Sequence, residues 1–150
     1  MKAILVNGSA RVNGNTKIAL QRLERILQAK GIETEIIDLA VKNMNPCSAC
    51  YKCANLGKCI QNDDLNSIFE KLKETKAIIL GSPVYFSNVT SRMQMFIERI
   101  GILSRTLGNP LKGKIGASVA VARRQGANFA YAAMNFFFGL MEMPIATSSY

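Results

Sequence analysis

The sequence predicts an α/β fold: an open, doubly wound parallel sheet with helices on both faces and a cysteine-rich loop after the second strand. Three observations carry this prediction. Short apolar runs alternate along the chain with segments whose apolar residues recur at helical spacing. The runs are nearly continuous rather than alternating, as in strands buried on both faces. No internal repeat interrupts the alternation, and 150 residues with 49% hydrophobic content suit one domain spanning 1–150.

The first run, residues 2–6, is closed by Asn7, Gly8 and Ser9 and reads as a buried strand. Residues 16–30 carry Ile18, Leu20, Leu23, Ile26 and Leu27 on one helical face, with Lys30 and Gly31 closing the helix. Residues 33–39 read as strand two, residues 46–59 as a long loop without period, and residues 63–73 as a second helix. Strand three covers 77–82. After the loop 83–88, a helix over 90–103 places Met93, Phe96, Ile97 and Ile100 together. Strand four covers 114–122, a helix covers 125–141, and residues 143–146 begin a fifth strand. In such a sheet, ligands gather at the carboxyl ends of the strands. Loops 7–16, 40–62, 83–89 and 123–126 all follow strands and are expected to share that edge.

Composition narrows the function classes. Nineteen Lys and Arg against ten Asp and Glu give a formal charge of +9, which suits nucleic acid, anionic lipid, an acidic partner or anionic cofactors. The basic residues are dispersed, with no run longer than Arg123-Arg124 and no interleaved aromatics, which argues against a nucleic-acid surface. The absence of histidine removes His-based acid-base or triad chemistry. The apolar run at residues 2–6 is too short for a signal peptide. The apolar-rich stretch 129–143 is broken by Asn135, Gly139 and Glu142. No membrane span and a cytoplasmic location are therefore expected.

All four cysteines fall within one short segment as C-x2-C-x2-C-x5-C: Cys47, Cys50, Cys53 and Cys59. Two successive x2 gaps let one loop present three thiolates around a compact cubane, and a segment carrying Gly57 brings the fourth. Zinc sites more often pair two separated C-x2-C knuckles. A [4Fe-4S] cluster is the favoured occupant, with zinc or a dithiol redox pair as the other readings. Relative to the ferredoxin run C-x2-C-x2-C-x3-C-P, the last gap is longer and Ile60 replaces proline. That departure suits one self-contained cluster.

The loop 7–16 joins a strand to a helix and brings small polar residues and backbone N–H groups to the helix N-terminus, a cradle for phosphate. It matches neither G-x-G-x-x-G nor G-x-x-x-x-G-K-[ST]. Ser9, Asn15 and Thr16 would also serve as turn and cap residues. The loop from Gly81 to Thr90 lies at the same edge, where Pro83 stiffens a turn that sets Tyr85 and Phe86 outward, and two aromatics beside a phosphate cradle suit a planar ligand. Arg123, Arg124 and the backbone near Gly126 could supply charge and donors to the edge of a flavin ring.

Taken together, the phosphate loop, the Gly81-Ser-Pro-Val-Tyr-Phe loop and the cysteine insert resemble the iron-sulfur flavoproteins of anaerobic archaea and bacteria, flavodoxin-like members of the NADPH-dependent FMN reductase group. The resemblance covers essentially the whole chain. It implies that Ser9, Arg11, Asn13, Asn15 and Thr16 hold the phosphate and ribityl tail of FMN. Pro83, Val84, Tyr85, Phe86 and Ser87 would hold its ring, and Arg123, Arg124 and Gly126 its far edge. It also implies a complete fifth strand and a closing helix, whereas this sequence stops at Tyr150.

The function expected is electron transfer: single electrons from an acidic carrier such as ferredoxin enter through the cluster, and FMN passes them to a two-electron acceptor. Dioxygen or peroxide reduction is implied by the resemblance. One alternative is an NAD(P)H-dependent FMN, quinone or nitro reductase with a structural metal at the cysteines. Another is a non-catalytic, zinc-stabilised interaction module. The cluster of Met134, Phe136, Phe137, Phe138 and Met141 on the last helix predicts a homo-oligomer, dimer or tetramer.

Overall fold

The computed structural model describes residues 1–147. Four strands, β1 (Lys2–Asn7), β2 (Glu33–Asp38), β3 (Ala77–Pro83) and β4 (Ile115–Val121), form one all-parallel sheet in the order β2-β1-β3-β4. Because the chain moves outward from β1 to β2 and then crosses back to β3, the connection reverses between β1 and β3. That point is where open α/β sheets bind their ligands. The register aligns the tips: Asn7 stands opposite both Asp38 and Gly81, and Pro83 opposite Val121.

Among the described residues, four α-helices lie between the strands, α1 (Asn15–Ala29), α2 (Cys53–Leu56), α3 (Leu65–Glu74) and α4 (Ser91–Thr106), a 3-10 turn (Leu39–Val41) follows β2, and α5 (Ala127–Leu140) follows β4. The alternating side chains of the buried strands divide the core in two. Ala3, Leu5, Ala77 and Ile79 meet Leu20 of α1 on one face. Ile4, Val6, Ile78 and Leu80 meet α3, α4 and α5 on the other. The central runs Ala3 to Val6 of β1 and Ala77 to Leu80 of β3 are therefore apolar at every position because both faces are covered.

The structure departs from the sequence reading at three places. Residues 46–59 are not wholly irregular, because α2 occupies Cys53–Leu56 and ends at Gly57, whose φ of 69° is the left-handed closure that stops a helix after one turn. A single turn is too short to show a period. The expected fifth strand is represented by one parallel bridge between Gly116 and Ile145, with Gly116 N–H donating to Pro144 O and Ala146 N–H to Gly116 O, both at 2.8 Å. Residues 148–150 lie outside the described residues. Finally, Met134, Phe137, Phe138 and Met141 are core, and only Phe136 of that set is exposed, so the apolar excess of the last helix is smaller than the sequence suggests. Among the described residues, no helix is long and apolar enough to cross a membrane.

Candidate functional site

The loop between β1 and α1 is folded by its own side chains. Ser9 N–H donates to Asn7 Oδ1 (3.1 Å), Arg11 N–H to Ser9 Oγ (3.0 Å), and Gly14 N–H to Arg11 O (3.1 Å). Asp38, at the tip of β2, accepts from Asn7 Nδ2 at 2.8 Å and Lys17 Nζ at 2.6 Å, which ties the first turn of α1 to the sheet. Gly14 is the N-cap and no side chain caps the helix. The first-turn N–H groups, from Asn15 onward, therefore face the cleft with the positive end of the helix behind them, which suits an anion.

Two further loops close on the same cleft. Val84 N–H donates to Val121 O (2.9 Å), and Tyr85 and Asn88 exchange both backbone hydrogen bonds across Phe86 and Ser87. Both intervening residues have positive φ, 48° and 59°, the geometry of a tight hairpin turn that glycine or asparagine usually fills. Phe86 is thereby held fully exposed at the turn apex and Tyr85 half-exposed. Gly126, with φ of 86°, begins α5 against this turn, and a Cβ there would stand 2.8 Å from Ser87 Cα. The three loops enclose a cavity of about 700 Å³ that reaches Ser9, Arg11, Asn13, Asn15 and Thr16 on one side and Pro83, Tyr85 and Arg123 on the other. A second cavity of about 530 Å³ shares Val84 and Arg123 with it and adds Phe86, Ser87, Arg124 and Gln125. These volumes fall in the range of small-molecule sites.

Left-handed backbone at a bulky residue costs about 1–2 kcal/mol, and such outliers collect at functional sites. Phe86→Gly is expected to raise the melting temperature of the flavin-free protein slightly, since relief of strain exceeds the added chain entropy. If the cleft holds a planar ligand, it should at the same time weaken binding of that ligand, FMN serving as the probe, by up to about tenfold through loss of a ring contact worth about 0.5–1.5 kcal/mol. Thermal melts with and without FMN, together with a fluorescence titration, separate the two effects. A fall in both stability and melting temperature without flavin would contradict the strain assignment.

The cysteine loop leaves the sheet after β2 and is anchored at both ends. Asn43 N–H donates to Asp64 Oδ2 (2.7 Å), Asp64 N–H donates to Asn43 O (3.0 Å), and Gln61 Nε2 donates to Pro46 O (3.0 Å). Asn66 of α3 clamps Cys59 twice, accepting its N–H and donating to its C=O, each at 2.9 Å. Ala49 and Tyr51 both have positive φ, 51° and 53°. The backbone N–H of Lys52, and after it the Ser48 hydroxyl, hold the exposed Cys50 thiol below its usual pKa. Cys47, Cys50, Cys53 and Cys59 all line one small cavity. Their sulfurs do not converge on a single point, and among the described residues no group of three or more Cys, Asp or Glu is gathered to hold one metal ion.

Arg99 of α4 also reaches this cavity. Its Nη1 donates to Asn45 O (3.0 Å) and to Asp63 Oδ2. Its Nη2 donates to Asp63 Oδ1 (3.3 Å) and to Cys59 Sγ (2.9 Å). Burial disfavours the charged guanidinium, but Asp63 and Cys59 together outweigh that penalty and raise its pKa further.

A sequence profile of the NADPH-dependent FMN reductase family matches residues 1–150. The chain belongs to that family.

Among proteins related to this FMN reductase family member is an iron-sulfur flavoprotein of Methanocaldococcus jannaschii, 43% identical over 127 residues, covering 84% of this chain and 65% of the relative. An iron-sulfur flavoprotein of Archaeoglobus fulgidus is 38% identical over 121 residues, covering 81% and 54%. The chain thus spans between half and two thirds of the length of these two relatives. A second one from Archaeoglobus fulgidus is 30% identical across all of this chain and 78% of its own. Of solved structures, an NAD(P)H:quinone oxidoreductase from Methanothermobacter marburgensis superposes with a TM-score of 0.77 at 12% identity, covering 99% of this chain and 82% of its own. An archaeal flavodoxin gives 0.68 at 22%, covering 99% and 80%. The fold is flavodoxin-like.

Of the flavin-contact residues expected from the sequence, all but Gly126 line the two cavities, and Gly126 instead buttresses the Ser87 turn. Gly14, Ala122 and Gln125, which lie within the loops expected at this edge, line them as well, whereas Val121 was not anticipated. Neither were Arg99 and Asp63. The open helix N-terminus, the exposed aromatics and the paired arginines fit a phosphate-bearing planar cofactor such as FMN.

Proposed function

We propose that the chain acts as an iron-sulfur flavoprotein. It would bind FMN across the loops after β1, β3 and β4 and a [4Fe-4S] cluster at Cys47, Cys50, Cys53 and Cys59. Single electrons would come from an acidic, ferredoxin-like carrier and leave in pairs to dioxygen, peroxide or a quinone. The observation that carries this reading is that four thiols border one cavity on the same sheet edge as the flavin cleft. A cubane takes one thiolate at each of four irons rather than four thiolates at one ion, which suits sulfurs spread around a cavity wall. The names of the relatives support the same reading.

Bound together, the two groups would supply one-electron exchange at the cluster and two-electron chemistry at the flavin. The protein's part is binding, orientation and charge. The first-turn N–H groups of α1 and Arg11 would receive the phosphate. Tyr85 and Phe86 would flank the ring, while Arg123 and Arg124 would offset negative charge gathering on it. With no histidine, protons would come from solvent or the half-exposed Tyr85 hydroxyl. Both cofactors are anionic and would leave a surface charge of about +5, suited to an acidic carrier in the cytoplasm. Phe129, Phe136 and Leu140 lie exposed along one face of α5 and support a homo-oligomer, readable by light scattering.

Anaerobic purification followed by iron, sulfide, zinc and FMN analysis tests the proposal, with about four irons and one FMN per chain expected. FMN with zinc would instead identify a reductase with a structural metal, and zinc without flavin an interaction module. With the loaded protein, reduction by ferredoxin should slow as ionic strength rises.

A further inference from the structure

We propose that Arg99, held in place by Asp63, sets the reduction potential of the cluster by hydrogen bonding to the Cys59 sulfur. The inference rests on the iron-sulfur reading above and extends it to residues outside the ligand set.

Arg99 is 2% exposed and lies on the apolar face of α4 beside Phe96, Ile100 and Leu103. A buried ion pair is poor evidence for stability, since apolar side chains of similar volume often serve a fold as well. What distinguishes this pair is where its donors go. Asp63 balances the guanidinium's charge through both oxygens, and of the remaining donors Arg99 directs one on Nη2 to Cys59 Sγ at 2.9 Å and one on Nη1 to Asn45 O at 3.0 Å. The backbone of Cys59 is held by two hydrogen bonds to Asn66, so the contact joins two fixed groups. The Arg99–Asp63 pair is neutral overall but oriented, with its positive end on the sulfur.

Donors to cluster sulfurs favour the more negative, reduced state and raise the potential. The couple concerned takes up one electron from the acidic carrier, with no bond formed or broken and no proton required. Two substitutions then act with opposite sign. Arg99→Gln withdraws the positive end and leaves the Asp63 carboxylate facing the site, so the potential falls. Asp63→Asn keeps a similar shape and leaves the guanidinium uncompensated, so the potential rises. A merely structural role predicts loss of iron in both and no opposed shifts.

The test is an anaerobic, dye-mediated titration of the purified holoprotein, following the cluster by electron paramagnetic resonance and the flavin optically as an internal reference. Each variant is expected to move the cluster equilibrium about tenfold, 59 mV for a one-electron couple, in opposite directions. The flavin potential should hardly move. Should Arg99→Gln fail to retain iron, Asp63→Asn decides the matter alone, and a potential at or below that of the unsubstituted protein overturns the inference. Unsubstituted protein without iron and sulfide overturns the cluster reading and this inference with it. A loaded protein whose variants keep the same potential overturns this inference only.

Discussion

Asp63→Ala is expected to cost about 3–5 kcal/mol of folding stability, because it strands a buried guanidinium without its counterion. Asp63 and Arg99 side chains are each 1% exposed, so water cannot replace the lost partner. The carboxylate also accepts from Leu65 N–H at 3.2 Å, in the first turn of α3, and from Asn45 N–H at 3.3 Å, just before the cysteine loop. Removing it therefore loosens a helix start and a loop anchor together. For a chain of this size the melting temperature should drop by roughly 6–20 °C. Thermal and chemical denaturation of the purified variant checks this, and a loss under 1 kcal/mol would mean that the pair is hydrated in solution.

Under the proposed function, Cys59→Ser is expected to weaken or convert the cluster while FMN stays bound. In that reading Cys59 would be the ligand presented by a separate segment, clamped by Asn66 and met by Arg99. Serine preserves the backbone clamp but offers a hydroxyl in place of a thiolate, a poor ligand for iron in such a cluster. The cavities proposed for FMN are lined from other loops and contain no cysteine, so their shape does not depend on the substitution. Iron, sulfide and FMN analysis after anaerobic purification gives the ratio directly. Loss of FMN with iron retained would reverse the assignment of the two loops.

The cleft proposed for the flavin was legible as a cluster of loops because its signals are local. Each loop directly follows an apolar run, and Pro83, Tyr85 and Phe86 stand together in sequence. What the sequence concealed there was the turn itself: Phe86 and Ser87 adopt positive φ without the Asn-Gly pattern that usually announces it. The cysteine side was legible only as a ligand list. Arg99 reaches Cys59, Asp63 and Asn45 across separations of 40, 36 and 54 residues, which no periodicity encodes. The one available signal was a charge lying between Phe96, Ile100 and Leu103 on an apolar stripe, where a long-chain cation must find a partner or leave the core. On α5 the hydropathy pattern overstated the exposed surface. Phe137 and Phe138 turn inward to the sheet and α4, and consecutive apolar residues on a helix do not all face the same way.

Helix α4 touches both candidate centres. At its start the Thr90 hydroxyl donates to Gly8 O at 2.6 Å, beside the phosphate loop, and caps the helix by accepting from Met93 N–H. Nine residues on, Arg99 meets Cys59, and farther along Thr106 Oγ1 lies 3.5 Å from Cys53 Sγ. A helix rises 1.5 Å per residue, so the first two anchor points stand about 14 Å apart along one stiff rod. Electron tunnelling weakens exponentially with separation, and loops that drifted independently would make its rate fluctuate from moment to moment. Under the proposed function, α4 acts as a spacer bar: loops on either side can breathe while the gap the electron must cross within one subunit stays constant.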